Sequence, residues 1–295
     1  MATLQQALDA AIAEQTAGRL DQAEAIYRQI LRVVPDQPDA VHLLGVIAHQ
    51  RGDHRTAIES IERAIELNPG QAAYYGNLGV VWKELGELKQ AAACYRRALE
   101  LQPDYPEACN NLGLVCHQVG NLVKAVTCYQ KALELRPDWP DPLRNLGLAF
   151  FEQRELAEAA RCYRRVIELQ PQSVSAHNGL GRVLAALGDF AGAHRCHRRA
   201  TELDPDSLDP YFNLLHTMRV TPETRAEFEH LERMAERSDL PPDRRTKLCF
   251  ALGKLFDDCG EWDKAFRSYE EANRLSGVAF DADEYRRYVD AILEA

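Results

Sequence analysis

Ten residues, CYRRALELQP (94–103), return 34 positions later as CYQKALELRP (128–137), then as CYRRVIELQP (162–171) and CHRRATELDP (196–205). Upstream, SIERAIELNP (60–69) and IYRQILRVVP (26–35) keep the same step. A fixed internal step constrains the fold more than any total does. Stacked repeats share one elongated core, so a chain of 295 residues need not divide into the two round domains its length would suggest.

The unit 72–102 shows what is repeated. Tyr75, Leu78, Trp82 and Leu85 fall three, four and three apart, one face of a helix. Gly86 follows as a left-handed stop, and Leu88, Ala91, Tyr95, Ala98 and Leu99 form a second helical stripe that Pro103 ends. Each unit is therefore expected to be two antiparallel helices joined by a tight turn. Leu44-Gly45, Leu78-Gly79, Leu112-Gly113, Leu146-Gly147 and Leu180-Gly181 share one slot, and Ala23, Ala57, Ala91, Ala125, Ala159 and Ala193 share another. The turn glycine recurs as Gly18, Gly52, Gly86, Gly120 and Gly188, while Arg154 stands in its place once and should strain that turn by about 1 kcal/mol.

These offsets resemble the tetratricopeptide repeat. The resemblance implies an all-α fold, an α-solenoid of helix-turn-helix repeats forming a right-handed superhelix, with six units over 1–207. The first unit carries Ala10-Ala11 for Leu-Gly, as expected of an end cap. Over 208–245 the rhythm lapses into a degenerate seventh unit, with a second helix expected over 222–238 and a break at Pro241-Pro242. A further unit is expected over 246–279, carrying Leu252-Gly253, Gly260, Ala265 and Tyr269, and a C-terminal amphipathic helix over 280–295. FALGKLFDDCGEWDKAFRSYEEANRL followed by FDADEYRRYVDAILEA resembles the junction between repeats and enzyme in bacterial tetratricopeptide-sulfotransferase proteins. That family's PRSGT-type phosphate loop has no counterpart in this sequence, so the resemblance implies a repeat array without its transferase.

The sequence holds none of GxxxxGK[ST], GxSxG, HExxH or CxxC, and the chain is not expected to be an enzyme or to carry a cofactor. His194 and His197 stand one turn apart, a spacing that can hold a metal, but read as packing or surface residues, so no metal is expected. Asp257-Asp258 near Glu261 reads as a solvated helix end. The net charge of −10 argues against nucleic acid, and no apolar run is long enough for a membrane span. Cys94, Cys128, Cys162 and Cys196 hold equivalent places, too far apart for disulfides, and are expected to be reduced packing residues of a cytoplasmic monomer.

The hollow face of the stack is the expected site. Just before the Leu-Gly slot stand Asn77, Asn111, Asn145 and Asn213, with Asn178 one position off the series. A carboxamide donates and accepts at once and can clasp a peptide group whatever side chain follows. The series resembles the asparagine ladder of the repeat domain in eukaryotic O-linked N-acetylglucosamine transferases, which implies a groove for an extended polypeptide. His42, His49, Lys83, Glu107, Asn110, His117, Arg144 and Arg182 are expected around it. The same asparagines could instead bridge neighbouring helices. The expected function is a scaffold that binds a protein or peptide partner in this groove. A structural adaptor acting through its outer surfaces, or the repeat half of a sulfotransferase, stands as the alternative.

Overall fold

A computed structural model describes residues 3–237 and 239–277. Its secondary structure is entirely helical among those residues. The helix expected over 280–295 lies outside them. The described residues form two compact units, divided between Glu155 and Leu156.

The first unit is built from hairpins: α1 (Leu4–Thr16) with α2 (Leu20–Val33), α3 (Pro38–Gln50) with α4 (His54–Leu67), α5 (Ala72–Glu84) with α6 (Leu88–Leu101) and α7 (Pro106–Gln118) with α8 (Leu122–Leu135), closed by α9 (Pro140–Glu152). Proline opens α3, α7 and α9, where a missing N–H costs nothing. Asp53 and Asn121 cap α4 and α8 by accepting from Thr56 N and Lys124 N. The turns are built alike. At the end of α5, Gly86 N–H reaches Lys83 O at 3.1 Å and Glu87 N–H reaches Trp82 O at 2.9 Å. This closure requires a left-handed residue, and Gly86 has φ +77°. After α9 the same two bonds form around Arg154, which is forced to φ +66°. The strained turn expected at that position is present.

Packing within a hairpin turns on a close approach. A methyl group at Gly113 of α7 would stand 2.6 Å from Tyr129 of α8, and one at Gly79 would stand 2.7 Å from Tyr95. The rings lie flat against bare backbone. Ala23, Ala57, Ala91 and Ala125, with Tyr27, Tyr95 and Tyr129, are fully buried beside them. Burial pushes the thiols of Cys94 and Cys128 up to about 11 and about 12, so they act as apolar filler.

The second unit contains α10 (Leu156–Leu169), α11 (Val174–Ala186) paired with α12 (Phe190–Leu203), and α13 (Leu208–Thr217). The helix expected over 222–238 is shorter than its sequence suggested. A 3-10 turn (Arg225–Phe228) leads into α14 (Glu229–Ala235). The hairpin of α15 (Pro242–Asp258) and α16 (Trp262–Ser276) follows. Loss of the repeat consensus here is not loss of core. Leu208, Tyr211, Leu214, Phe228, Leu231, Met234, Leu248 and Leu255 form one buried cluster. Nor is Asp258 a solvated helix end: its buried carboxylate accepts from Val220 N–H at 3.1 Å and pairs with Lys254. Glu261 pairs with Arg225, tying the same helix end to the 3-10 turn.

Candidate functional site

The residues expected to line the groove lie on the first helix of each hairpin, and they meet in a pattern the sequence does not announce. Bonds run from residue i to i+35, one more than the repeat length. Consecutive residues on a helix point about 100° apart. The slot of His42 therefore looks toward the next first helix, and the slot after it, that of Asn77, looks back. In the first unit Asn77 Nδ2 meets His42 Nε2 at 2.9 Å, and Asn145 Nδ2 donates to Asn110 Oδ1 at 3.3 Å. In the second unit Asn213 Nδ2 donates to Asn178 Oδ1 at 2.9 Å. The off-series position of Asn178 is thus its function: it occupies the forward-looking slot, as His42 and Asn110 do.

Two turns further along the helices a second rung repeats the logic. His49 Nε2 lies 3.6 Å from the Glu84 carboxylate, and His117 Nε2 lies 3.0 Å from that of Glu152. The His117 contact is off the direction a hydrogen bond needs, and Nε2 stays unbonded. Between α5 and α7 the pattern skips. The forward slot is Gly76, and the space a side chain would use is taken by Tyr105, whose Oη lies 2.9 Å from where Cβ would stand. Half-buried Asn111, facing that slot, makes no side-chain hydrogen bond among the described residues. Lys83 occupies the second-rung slot of the same helix. Arg144 pairs with Asp141 at 3.3 Å, Glu107 with Arg136 at 2.6 Å, and Arg182 is exposed.

Two histidines are set deep in this framework. His42 is buried against Tyr74, ring centroids 4.4 Å apart, while Tyr74 donates to Asp39 at 2.5 Å. Desolvation lowers the His42 pKa to about 4, with Asp39 pulling the other way. His197 takes the slot that Tyr95 and Tyr129 fill elsewhere and lies against Gly181, where a Cβ would be 2.5 Å from its ring. It is completely buried, and burial, then the charges of Arg182 and His194, lower its pKa to about 4. Its Nδ1–H donates to Asn178 Oδ1 at 2.8 Å, which leaves Nε2 bare and without a partner.

Tyr74, Asp39, Glu84 and Glu152 were not among the residues picked out by sequence. The signal that finds them is the i to i+35 register, invisible until first helices are laid side by side.

Residues 2–209 match the family described as cilia and flagella-associated protein 70 C-terminal domain, and residues 248–276 match the tetratricopeptide repeat. The chain belongs to this tetratricopeptide-repeat family. Among solved structures it is similar to PilF of Pseudomonas aeruginosa, at 21% identity over 70% of this chain and 94% of that one, with a TM-score of 0.65. A tetratricopeptide repeat protein from Parabacteroides merdae matches at 18% identity over 85% of this chain and 96% of that one, with a TM-score of 0.62. YrrB, described as a TPR protein with an unusual peptide-binding site, matches at 24% identity over 72% of this chain and all of its own, with a TM-score of 0.51. No curated protein matches the sequence. No helix among the described residues is long and apolar enough to cross a membrane.

Proposed function

We propose that this repeat scaffold binds an extended or disordered polypeptide segment along the face of its first helices. The observation that carries the reading is the line of half-buried carboxamides at Asn77, Asn111 and Asn145 in the first unit. Each rung uses one N–H of an amide that has two, so a second donor and a carbonyl lone pair remain for a guest backbone. Asn111 keeps its whole capacity. Asn178 and Asn213 repeat the chemistry within the second unit. His49, Lys83, His117, Arg144 and Arg182 supply side-chain selectivity, while His42 and Asn110 are buried and hold the asparagines from behind. The mixture has no single sign of charge and does not suit a polyanion. YrrB's described peptide-binding site is in keeping with this use of the fold. The resemblance of 250–275 to tetratricopeptide-sulfotransferase proteins makes the guest a candidate transferase substrate in the cytoplasm, recruited by a monomeric array.

The test is affinity selection of extended peptides on the chain, followed by titration against the Asn77→Ala, Asn111→Ala, Asn145→Ala triple variant. Three lost hydrogen bonds at about 1 kcal/mol each predict a drop of roughly a hundred-fold. Because the variant also loses the bonds to His42 and Asn110 and should melt lower, binding is compared at a temperature where circular dichroism shows both proteins folded. Equal binding by the variant refutes the groove. It would favour the adaptor reading, for which one feature speaks: Trp262 and Phe266 stand one turn apart on α16, 66% and 69% exposed.

A further inference from the structure

One position in the array breaks the repeat in a way that packing does not explain. In the five other hairpins that lie within one unit the first residue of the second helix is Leu20, Leu88, Leu122, Phe190 or Trp262, an apolar residue each time. In α4 it is His54. The substitution brings a second imidazole beside a rung that already holds a histidine and a carboxylate. His49 Nδ1 and His54 Nδ1 face each other at 3.4 Å, with ring centroids 5.5 Å apart. Glu84 closes the group, and one ligand atom from each of the three residues lies within 4.8 Å of the others.

We propose that His49, His54 and Glu84 bind a divalent transition-metal ion of the zinc class. A tetrahedron whose bonds to nitrogen are about 2.0–2.1 Å long has edges of about 3.4 Å, the separation at which the two Nδ1 atoms stand. Two borderline imidazole nitrogens beside a single hard carboxylate favour Zn²⁺, Co²⁺ or Ni²⁺ over Mg²⁺ or Ca²⁺. The spacing His49-Gln50-Arg51-Gly52-Asp53-His54 puts four residues between the histidines, inside the range of three to five that places such a pair on one ion. The backbone between them is fixed. Gly52 holds the left-handed turn at φ +80°, and Asp53 caps α4 through Thr56 N, so the arrangement is set before the ion arrives. Glu84 sits at the last position of α5, its side chain 50% exposed, which leaves an entry path and a fourth coordination place for water. The ion would clasp α3, α4 and α5, joining two successive hairpins.

The first unit contains its own control. His117 and Glu152 form the same rung at 3.0 Å, but the neighbouring second helix begins with Leu122 and supplies no third ligand.

The experiment uses the full chain, stripped with chelator and titrated with Zn²⁺ by calorimetry and with Co²⁺ by visible absorption. Expected are one site per chain with the d–d bands of a low-coordinate nitrogen and oxygen environment, and a melting temperature that rises with metal. His54→Leu installs the residue that the other hairpins carry. It should lower affinity by more than the roughly 100-fold that loss of a supporting group alone can cost, and abolish the metal-dependent rise. Glu84→Gln should weaken binding, while His117→Leu leaves it unchanged. Zinc bound as tightly by His54→Leu as by the parent, or by neither, overturns the assignment. Thiolate bands in the Co²⁺ spectrum, which would place the ion on cysteines, overturn it too.

Discussion

His197 gives the sharpest quantitative handle on the fold. In water an imidazole titrates near 6.5, and inside α12 its pKa falls to about 4. Between those values the unfolded chain holds a proton that the folded chain refuses. Stability contributed by neutral His197 is therefore complete above pH 6.5 and is lost as pH falls through the window to about 4. A displacement of that size corresponds to about 3 kcal/mol across the window. Other acid-sensitive groups cloud a single curve, so the comparison is with His197→Tyr. Tyrosine packs on glycine at this slot in Tyr95 on Gly79 and Tyr129 on Gly113, and it does not titrate in the window. Urea unfolding of both proteins, followed by circular dichroism at intervals from pH 7 to pH 4, gives a difference in which shared carboxylates cancel. The parent should lose about 3 kcal/mol relative to the variant, with the slope confined between pH 6.5 and 4. A parallel imidazole titration by nuclear magnetic resonance should find His197 neutral until close to pH 4. A stability difference that stays flat with pH, or an imidazole that titrates near 6.5, would refute the reasoning.

Gly113→Ala puts a methyl 2.6 Å from the Tyr129 ring, and thermal melting should show a loss of about 1–3 kcal/mol as the hairpin is wedged apart. Arg154→Gly relieves the left-handed backbone at φ +66°; after the added freedom of glycine in the unfolded chain, a net gain of about 0.5 kcal/mol is expected in the same assay. Asp258→Ala strips the buried acceptor from Val220 N–H, and denaturant unfolding should register a cost of about 2 kcal/mol.

The beat of 34 residues was enough to foresee the hairpins, because glycine, alanine and aromatic recur where backbone must meet ring. Even the one strained turn could be read, since Arg154 stands where the other turns carry glycine. At 208–245 the sequence showed only that the rhythm lapses, not how the stretch packs. A consensus measures regularity, whereas Phe228, Leu231 and Met234 are buried without it. The candidate site was legible as a list and not as a network. Asn77 names itself by position, but its partner His42 is found only when two helices lie alongside one another. His197 read as a packing or surface residue because its neighbour His194, one turn away, drew attention to metal spacing. Its actual surroundings, Gly181 and Asn178, lie on the facing helix α11. Likewise His54 looked unremarkable until the turn folded it back on His49.

The one-residue offset between forward and backward slots gives the array a grammar. Removing the single hairpin α5–α6 would set His49 opposite Gln118 and cost it a carboxylate. Excising α5 through α8 together would set His42 opposite Asn145 and His49 opposite Glu152, restoring both kinds of pair. After a single step His42 would still meet a carboxamide, that of Asn111. A lineage lengthening or shortening this stretch by recombination would therefore keep its histidine–carboxylate cross-links only by moving in double steps: that rung counts in twos although the sequence repeats in ones.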